Sequence, residues 1–274
     1  PEDRLAKDIA LMRETGINVV RIAESTWSTL EPEEGQYNFY HIDRVLEAMH
    51  EAGIAVIVGT PTYAVPAWLA AKHPDILVTT VAGQQKYGPR QIMDIVNPTF
   101  RRYAEKIIRT LMAHVQHHPA IIGWQLDNEF NCENDRFYTE SDTDAFREFL
   151  REKYQTLDAI NEAWGTVFWN QTYTDWEQIF VPRRTNTGSP NPHLMLDYFR
   201  FISDSVNRFA NMQAEIIRQY KKEEDFITHN GMFSNIDYQR MARESLDVLM
   251  YDSYPDFGYE LDSYREADRM KDRK

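Results

Sequence analysis

Three polar residues, Asp127, Asn128 and Glu129, directly follow the apolar run AIIGWQL of residues 120–126. A carboxyl group at the end of a buried strand is partly desolvated, and desolvation favours its neutral form. A carboxylic acid that keeps its proton near neutral pH is suited to general acid catalysis. The neighbouring amide of Asn128 is suited to hydrogen-bonding an uncharged hydroxyl. The pattern alone therefore fits two interpretations of Glu129 equally well, a general acid and a carboxylate that caps the next helix.

Hydrophobic periodicity predicts the elements that position this cluster. Helical spacing occurs at residues 4–15, 39–53, 98–118, 142–164, 193–221 and 237–245. Short, continuous apolar runs predict strands at residues 17–24, 54–61, 120–129, 225–230 and 246–255. Apolar strands that alternate with helices indicate a parallel sheet covered by helices. Two α/β architectures fit this pattern, an open doubly wound sheet and a barrel.

The carboxyl ends of the predicted strands favour the barrel. Each end runs into polar or aromatic residues: Arg21 and Glu24, Thr60 and Tyr63, Asn128 and Glu129, His229 and Asn230, and Asp252 and Tyr254. Polar side chains gathered from several strand ends are typical of a barrel active site. No glycine-rich dinucleotide or phosphate motif follows any strand, which weakens the nucleotide-binding alternative. We therefore predict an α/β fold of the (β/α)8 TIM-barrel class.

Composition narrows the class of ligand. The 274 residues carry a formal net charge of −13, which disfavours nucleic acid because phosphate binding needs clustered Lys and Arg. Anionic membranes would repel the chain, and its apolar runs are too short for a signal-peptide core or a membrane span. The single Cys132 excludes an internal disulfide and favours a reducing compartment. We expect a cytoplasmic protein with a neutral substrate and without nucleic-acid or membrane partners.

Three stretches carry a family resemblance: VRIAESTWSTLEPEEGQYNF, GWQLDNEF and INEAWGTVFWNQTYTDWEQI. Read in this order, they resemble glycoside hydrolase family 42, the β-galactosidases, and the resemblance runs over residues 2–257. It implies a retaining hydrolase that removes terminal β-D-galactosyl residues from galactosides or oligosaccharides by double displacement. Such enzymes place two carboxyl groups about 5–5.5 Å apart on either side of the scissile bond. The residue that matches the family's general acid/base is Glu129.

The resemblance also implies substrate-binding roles for five residues. Asn128 matches a residue that hydrogen-bonds the sugar. Arg21 matches an arginine near the sugar and the nucleophile, with a salt bridge inside the barrel as the alternative. Arg90 matches a second active-site arginine on a long loop, with a solvated loop charge as the alternative. Trp169 matches an aromatic wall of the site, and Tyr254 matches a tyrosine that hydrogen-bonds the nucleophile.

Two strand-end residues stay outside the predicted site, and two features depart from the family pattern. His229 and Asn230 carry a weaker signal, because a histidine at a strand end is more often a satisfied structural group than a ligand. Many family members hold zinc with a cysteine cluster, whereas Cys132 stands alone, so we predict no metal and no cofactor. By count, the chain covers the first helix through the sixth strand of a barrel of eight. We therefore expect a piece of a longer enzyme, with a nucleophilic glutamate beyond residue 274. The oligomeric state is not readable from these residues, and the family resemblance implies a homotrimer.

Other functions are compatible with the same residues. Another retaining barrel glycosidase, such as a β-glucosidase, a β-mannanase or an α-L-arabinopyranosidase, would use the same acid/base motif. A non-catalytic sugar-binding relative would lack the nucleophile. A purely structural α/β domain would leave the polar residues at the strand ends without an explanation.

Overall fold

A five-stranded parallel sheet forms the centre of the molecule in the computed structural model, which describes residues 4–183, 188 and 190–252. The strands of the described residues are β1 (Val19–Ile22), β2 (Ala55–Gly59), β3 (Thr79–Thr80), β4 (Gly83–Gln84), β5 (Ile121–Gln125), β6 (Phe226–Gly231) and β7 (Val248–Tyr251). The short strands β3 and β4 form a separate antiparallel hairpin. The other five build the sheet, and each of them matches a predicted strand.

The strand order separates the two predicted architectures. The sheet runs β1-β2-β5-β6-β7, so its strands follow the order of the chain, and every neighbouring pair is parallel. A doubly wound sheet reverses its strand order at a switch point, and the described strands show no reversal. Continuous winding in one direction is the topology of a barrel. The carboxyl ends of all five strands therefore meet along one edge of the sheet.

Helices connect the strands and cover one face of the sheet. The α-helices of the described residues are α1 (Leu5–Glu14), α2 (Trp27–Leu30), α3 (Tyr40–Ala52), α4 (Ala67–Lys72), α5 (Pro98–Val115), α6 (Glu140–Tyr154), α7 (Leu157–Trp164), α8 (Pro192–Arg218) and α9 (Tyr238–Glu244). Short 3₁₀ turns occur at Pro61–Tyr63, Pro74–Ile76, Phe168–Asn170 and Trp176–Gln178. None of the helices in this part of the chain is both long enough and apolar enough to cross a bilayer.

Local sequence explains where the main helices begin and end. Helix α3 ends at Gly53, whose left-handed φ of 71° closes the last turn at little steric cost. Helix α5 begins after Asn97, whose side chain accepts hydrogen bonds from the N–H groups of Thr99 and Phe100 at 2.9 and 3.1 Å. Pro98 takes the first helical position, where its missing N–H costs nothing.

The region from 142 to 164 differs from the predicted single helical stretch. It contains two helices, α6 and α7, because the chain turns at Gln155, where φ is 65°. The Thr156 side chain then accepts a hydrogen bond from the Ala159 N–H at 3.2 Å and begins the second helix. Apolar spacing continues across the break, so periodicity does not reveal it.

Two hydrophobic clusters stabilise the described residues, and the long helix α8 contributes to both. The larger cluster lies between the sheet and helices α3, α5 and α8, and includes Val56, Ile121 and Phe209. The smaller cluster joins α6, α7 and the first half of α8 around Phe146 and Tyr198. Because both clusters share α8, the α6–α7 pair is held beside the sheet near the loop that follows β5.

Candidate active site

The chain makes a tight turn of unusual conformation just after β5. Asp127, Glu129 and Asn131 all have left-handed backbones, with φ of 48°, 42° and 66°. This conformation costs non-glycine residues free energy, on the order of 1–3 kcal/mol each, and persists only where the surroundings hold it. Because every second residue of this segment has a left-handed backbone, the side chains of residues 127 to 129 do not alternate between two faces as they would in a regular strand.

Asp127 fixes the first half of the turn from inside the protein. Its N–H donates to the Thr60 hydroxyl at 2.7 Å, and the Thr62 hydroxyl donates to its Oδ2. Its Oδ1 accepts from the Asn128 N–H at 2.7 Å. The side chain is fully buried, and burial raises the pKa of Asp127 to about 7. The hydrogen bonds of Asp127 therefore hold the backbone of the turn, whereas the side chains of Asn128 and Glu129 contact residues at the ends of neighbouring strands.

Asn230 links the turn to the neighbouring strands. It lies at the end of β6, and its Oδ1 accepts from the Glu129 N–H at 3.1 Å. Its Nδ2 donates to Asn128 Oδ1 at 2.9 Å and to Asp252 Oδ2, just past β7, at 2.7 Å. In the sequence, Asn230 carries only a weak signal. Its contacts with the three strand ends become apparent only in the fold, which brings those ends together around it.

The carboxyl group of Glu129 is largely shielded from water, with the residue 7% exposed. Burial raises the pKa of Glu129, and the adjacent Asp252 carboxyl raises it further through a hydrogen bond and its charge. The Asn128 amide, which donates to Glu129 Oε2 at 3.2 Å, and the Arg90 guanidinium lower the same pKa by smaller amounts. The net shift of the Glu129 pKa is upward, which is the direction that a general acid requires.

Arg21 joins the cluster from β1. Its Nη1 donates to Gln125 Oε1 at 2.9 Å and lies 3.7 Å from Asp252 Oδ1. Its Nε donates to Glu24 Oε1 at 3.3 Å. Both interpretations of this arginine therefore have a structural basis, because it makes the ion pair within the sheet and also lies beside the Asp252 carboxyl. Its positive charge stands at the same edge as Glu129.

Arg90 lies on the loop between β4 and α5 and faces the turn from the opposite side. It forms an ion pair with Glu133, with 2.6 Å between Nη2 and Oε1. Its guanidinium stands over the Tyr63 ring, 5.5 Å from the centroid. It also acts on Glu129, since its charge lowers the pKa of that carboxyl. The structure thus brings Arg90 to the cluster, held by a carboxylate and an aromatic face.

His229 has a structural role in this arrangement. The residue is fully buried, its Nδ1 lies 2.8 Å from the Leu126 carbonyl, and its ring stacks on Phe130 with centroids 4.4 Å apart. Burial lowers the pKa of His229 to about 4, so the ring is neutral at physiological pH. A neutral Nδ1–H then donates to the carbonyl, in agreement with the interpretation of a satisfied structural histidine.

Two predicted binding residues are not brought to Glu129 by the described structure. Trp169 has a φ of 57°, is 72% exposed and stacks on Phe168, with ring centroids 4.7 Å apart. Its role as an aromatic wall stays a prediction. Tyr254 lies outside the described residues. No group of three or more His, Cys, Asp or Glu side chains could hold a metal ion within the described ranges, and the absence of zinc also stays a prediction.

Gln91 was not singled out in the sequence, although it touches the turn directly. Its amide nitrogen donates to the carbonyls of Asn128 and Glu129 at 2.9 and 2.8 Å. It lies in a loop without periodicity, so neither burial nor orientation is readable from its neighbours. The one available signal is its position next to Arg90.

Comparisons with known proteins agree with this geometry. The sequence model of glycoside hydrolase family 42, described as beta-galactosidase, matches residues 1–273. The chain belongs to glycoside hydrolase family 42. A beta-galactosidase of Thermus thermophilus is 37% identical over 259 residues, which are 93% of this chain and 40% of the relative. The family 42 match confirms the resemblance seen in the three sequence stretches.

Solved structures of family 42 extend the match to the fold. The beta-galactosidase of the psychrophilic Marinomonas ef1 superposes with a TM-score of 0.88 at 36% identity, covering 96% of this chain and 41% of the other. A catalytic mutant of Gan42B, a GH42 beta-galactosidase from G. stearothermophilus, also gives 0.88, at 34% identity, covering 99% and 41%. The prediction of a partial TIM barrel is confirmed. The chain spans about 40% of the length of the relatives it matches.

Proposed function

We propose that the protein is a retaining β-galactosidase in which Glu129 is the general acid/base. The observation that carries the proposal is the state of Glu129, a shielded carboxyl with a raised pKa at the carboxyl edge of a barrel sheet. Family membership supports galactosides as the substrate class, because the relatives named above are β-galactosidases. The single cysteine supports a reducing compartment such as the cytoplasm, and the family resemblance supports a homotrimer.

In the proposed reaction, Glu129 donates its proton to the glycosidic oxygen as the bond to the anomeric carbon breaks. A second carboxylate attacks that carbon and forms the glycosyl-enzyme. Glu129, now ionised, takes a proton from the water that releases the sugar. We assign Asn128 to hydrogen-bonding a sugar hydroxyl beside the reacting carbon. Arg21 supplies positive charge at the edge where the carboxylates gather.

The second carboxyl is expected beyond residue 274, and the position of Asp252 supports this. The carboxyl oxygens of Asp252 already face other groups of the strand edge, since Oδ2 accepts from Asn230 Nδ2 at 2.7 Å and Oδ1 lies 3.7 Å from Arg21 Nη1. The same carboxyl raises the pKa of Glu129. We therefore assign Asp252 to orienting Asn230 and raising the pKa of Glu129, and not to nucleophilic attack.

The decisive experiment replaces Glu129 by alanine in the full-length protein. With substrates whose leaving groups are poor, the rate should fall about 10²–10⁴-fold, because general acid catalysis is lost. With a dinitrophenyl galactoside, glycosylation should survive and deglycosylation should become limiting. Azide needs no general base, so adding it should restore turnover and yield the β-galactosyl azide. Glu224→Ala, an exposed glutamate on the loop before β6, is the control and should behave as the wild type.

Two outcomes would contradict this assignment. An α-configured azide product would make Glu129 the nucleophile, and unchanged activity without azide would return it to the role of a helix-capping carboxylate. A panel of nitrophenyl glycosides tests the substrate class separately. Preference for a glucoside, a mannoside or an α-L-arabinopyranoside over the β-galactoside would replace the substrate and keep the mechanism.

A further inference from the structure

Gln91 is a buried residue whose side-chain amide makes its hydrogen bonds to the backbone of the segment that follows β5. The residue is 7% exposed, and its own N–H donates to the Tyr63 carbonyl at 2.9 Å. Its Nε2 donates both to the Asn128 carbonyl (2.9 Å) and to the Glu129 carbonyl (2.8 Å). Its Oε1 accepts from the Glu133 N–H at 2.8 Å. One amide thus holds three backbone groups of the segment that carries Glu129.

These bonds replace a backbone ladder that the turn cannot form. The Glu129 carbonyl also accepts from the Cys132 N–H at 3.0 Å, whereas the partner of the Asn128 carbonyl among the described residues is Gln91. Glu129 is held at a φ of 42°, a conformation that persists only under external restraint. Gln91 is itself at a φ of 46°, so its loop is shaped to present the amide. Gln91 therefore joins the two loops beside the Arg90–Glu133 ion pair, and among these contacts it is the side chain that bonds the carbonyls of Asn128 and Glu129.

We propose that Gln91 is a positioning residue that sets the orientation of the Glu129 carboxyl toward the glycosidic oxygen. The inference rests on the proposed acid/base role of Glu129. Glutamine suits the task because its amide offers donors to two carbonyls and an acceptor to an N–H at once. Methionine has a similar length without a donor, and glutamate keeps the shape but replaces the donor by oxygen. A displacement of about 1 Å at such a site costs on the order of 100-fold in rate.

The test compares Gln91→Met with Glu129→Ala in the full-length protein. For phenyl or alkyl galactosides, which need protonation of the leaving group, Gln91→Met should lower kcat/KM about 10- to 100-fold. For the dinitrophenyl galactoside it should lower kcat/KM much less. Gln84→Met is the matched control, because Gln84, in β4, makes an exposed hydrogen bond to the Pro74 carbonyl and does not touch the turn. The control should match the wild type with both substrates.

The double variant isolates the path through Glu129. If Gln91 acts by orienting that carboxyl, Gln91→Met should cause no further loss of kcat/KM in the Glu129→Ala background. A residue that merely supports the fold would lower the rates of both backgrounds and of both substrates by the same factor. That uniform loss would overturn the inference.

Gln91→Glu provides a second test, which remains valid if the protein does not tolerate methionine at position 91. Its protonated form still donates one hydrogen bond to a carbonyl, but its ionised form repels both carbonyls. The value of kcat/KM for phenyl galactoside should therefore fall well below that of the wild type while kcat/KM for the dinitrophenyl galactoside falls much less, and an equal fall with both substrates would contradict the inference. Failure of Glu129→Ala to discriminate between leaving groups would instead refute the proposed function. The two failures are therefore distinguishable.

Discussion

Glu129 has three polar groups, and a different neighbour holds each of them. Asn230 accepts from its N–H, Gln91 donates to its carbonyl, and Asn128 donates to its carboxyl. The nearby Asp252 carboxyl supplies the negative charge that helps to keep the proton on Glu129. A single acid is thus positioned by side chains from four segments of the chain, which explains how a strained turn supports a defined geometry.

Asn230→Asp tests the electrostatic part of this arrangement. The change replaces the amide that donates to Asn128 and Asp252 by a carboxylate beside Glu129. An added negative charge favours the protonated form of a neighbouring acid, so the pKa of Glu129 should rise further. The basic limb of the pH profile of kcat/KM, which reports loss of that proton, should move to higher pH, while the maximum falls because two hydrogen bonds are lost.

Asn211→Asp is the control for this prediction. Asn211 donates from its Nδ2 to Glu215 at 2.8 Å on the exposed face of α8, so the same chemical change occurs far from the strand ends. Its pH profile should match that of the wild type. A basic limb that stays in place or moves to lower pH in Asn230→Asp would show that Asn230 does not act on the charge of Glu129.

The strand β5 leads into the turn that contains Glu129, and its neighbour β6 packs closely against it at Gly123. A Cβ added at Gly123 would lie 2.7 Å from two carbon atoms of the Phe226 ring. Phe226 begins β6 and pairs in register with Gly123, so neither partner is free to move without disturbing the ladder. The absence of a side chain at this position lets an aromatic ring cover the strand that precedes the turn of Glu129.

Gly123→Ala should therefore destabilise the protein and disturb the site together. Overpacking of this kind costs about 1–3 kcal/mol, to be measured by urea unfolding at fixed pH. Activity should fall as well, because β5 must shift to admit the methyl group. Gly88→Ala is the control, since its Cβ would lie 3.5 Å from Ile92 in ordinary contact. Equal stability of the two variants would show that the Phe226 ring yields without cost.

Sequence alone predicts the sheet well, because buried strands and amphipathic helices carry periodic signals. The boundary signals of Gly53 and Pro98 also lie where the helices end and begin. The contacts of the site are less predictable, since Gln91 and Asn230 act through long-range hydrogen bonds that leave no local pattern. The break at Gln155 is hidden for a similar reason, because apolar spacing continues through it. The role of a polar residue in a loop becomes apparent only when the fold shows which strand ends lie near it.

At the scale of the whole molecule, the sheet has two unpaired edges among the described strands. In that part of the chain β1 pairs only with β2, and β7 pairs only with β6. Val19 and Val248, on these two strands, are 39% and 46% exposed. Unpaired parallel edges invite pairing with other chains. The net charge of −13 opposes such association through repulsion between molecules, but salt screens that repulsion.

Because of these unpaired edges, the 274 residues expressed alone should associate. They should also lack β-galactosidase activity, because we expect the nucleophile to lie elsewhere in the full-length protein. Association should increase with protein concentration and with salt, as measured by light scattering. Replacing both Val19 and Val248 by lysine should reduce it, because lysine on an edge discourages strand pairing. Turnover of a nitrophenyl β-galactoside by the isolated chain at enzymatic rates would contradict the expectation that the nucleophile lies beyond residue 274.

The turn after β5 also has a consequence for how slowly the protein opens. Asp127, Asn128 and Glu129 are buried, and each of their N–H groups is bonded to a side-chain oxygen. Amide hydrogens in such positions exchange with solvent only when the surrounding structure unfolds. Deuterium should therefore enter this turn as slowly as it enters β5 and β6, although loops on a barrel rim usually exchange within seconds. The backbone that carries the Glu129 carboxyl would then open as rarely as the core of the protein does.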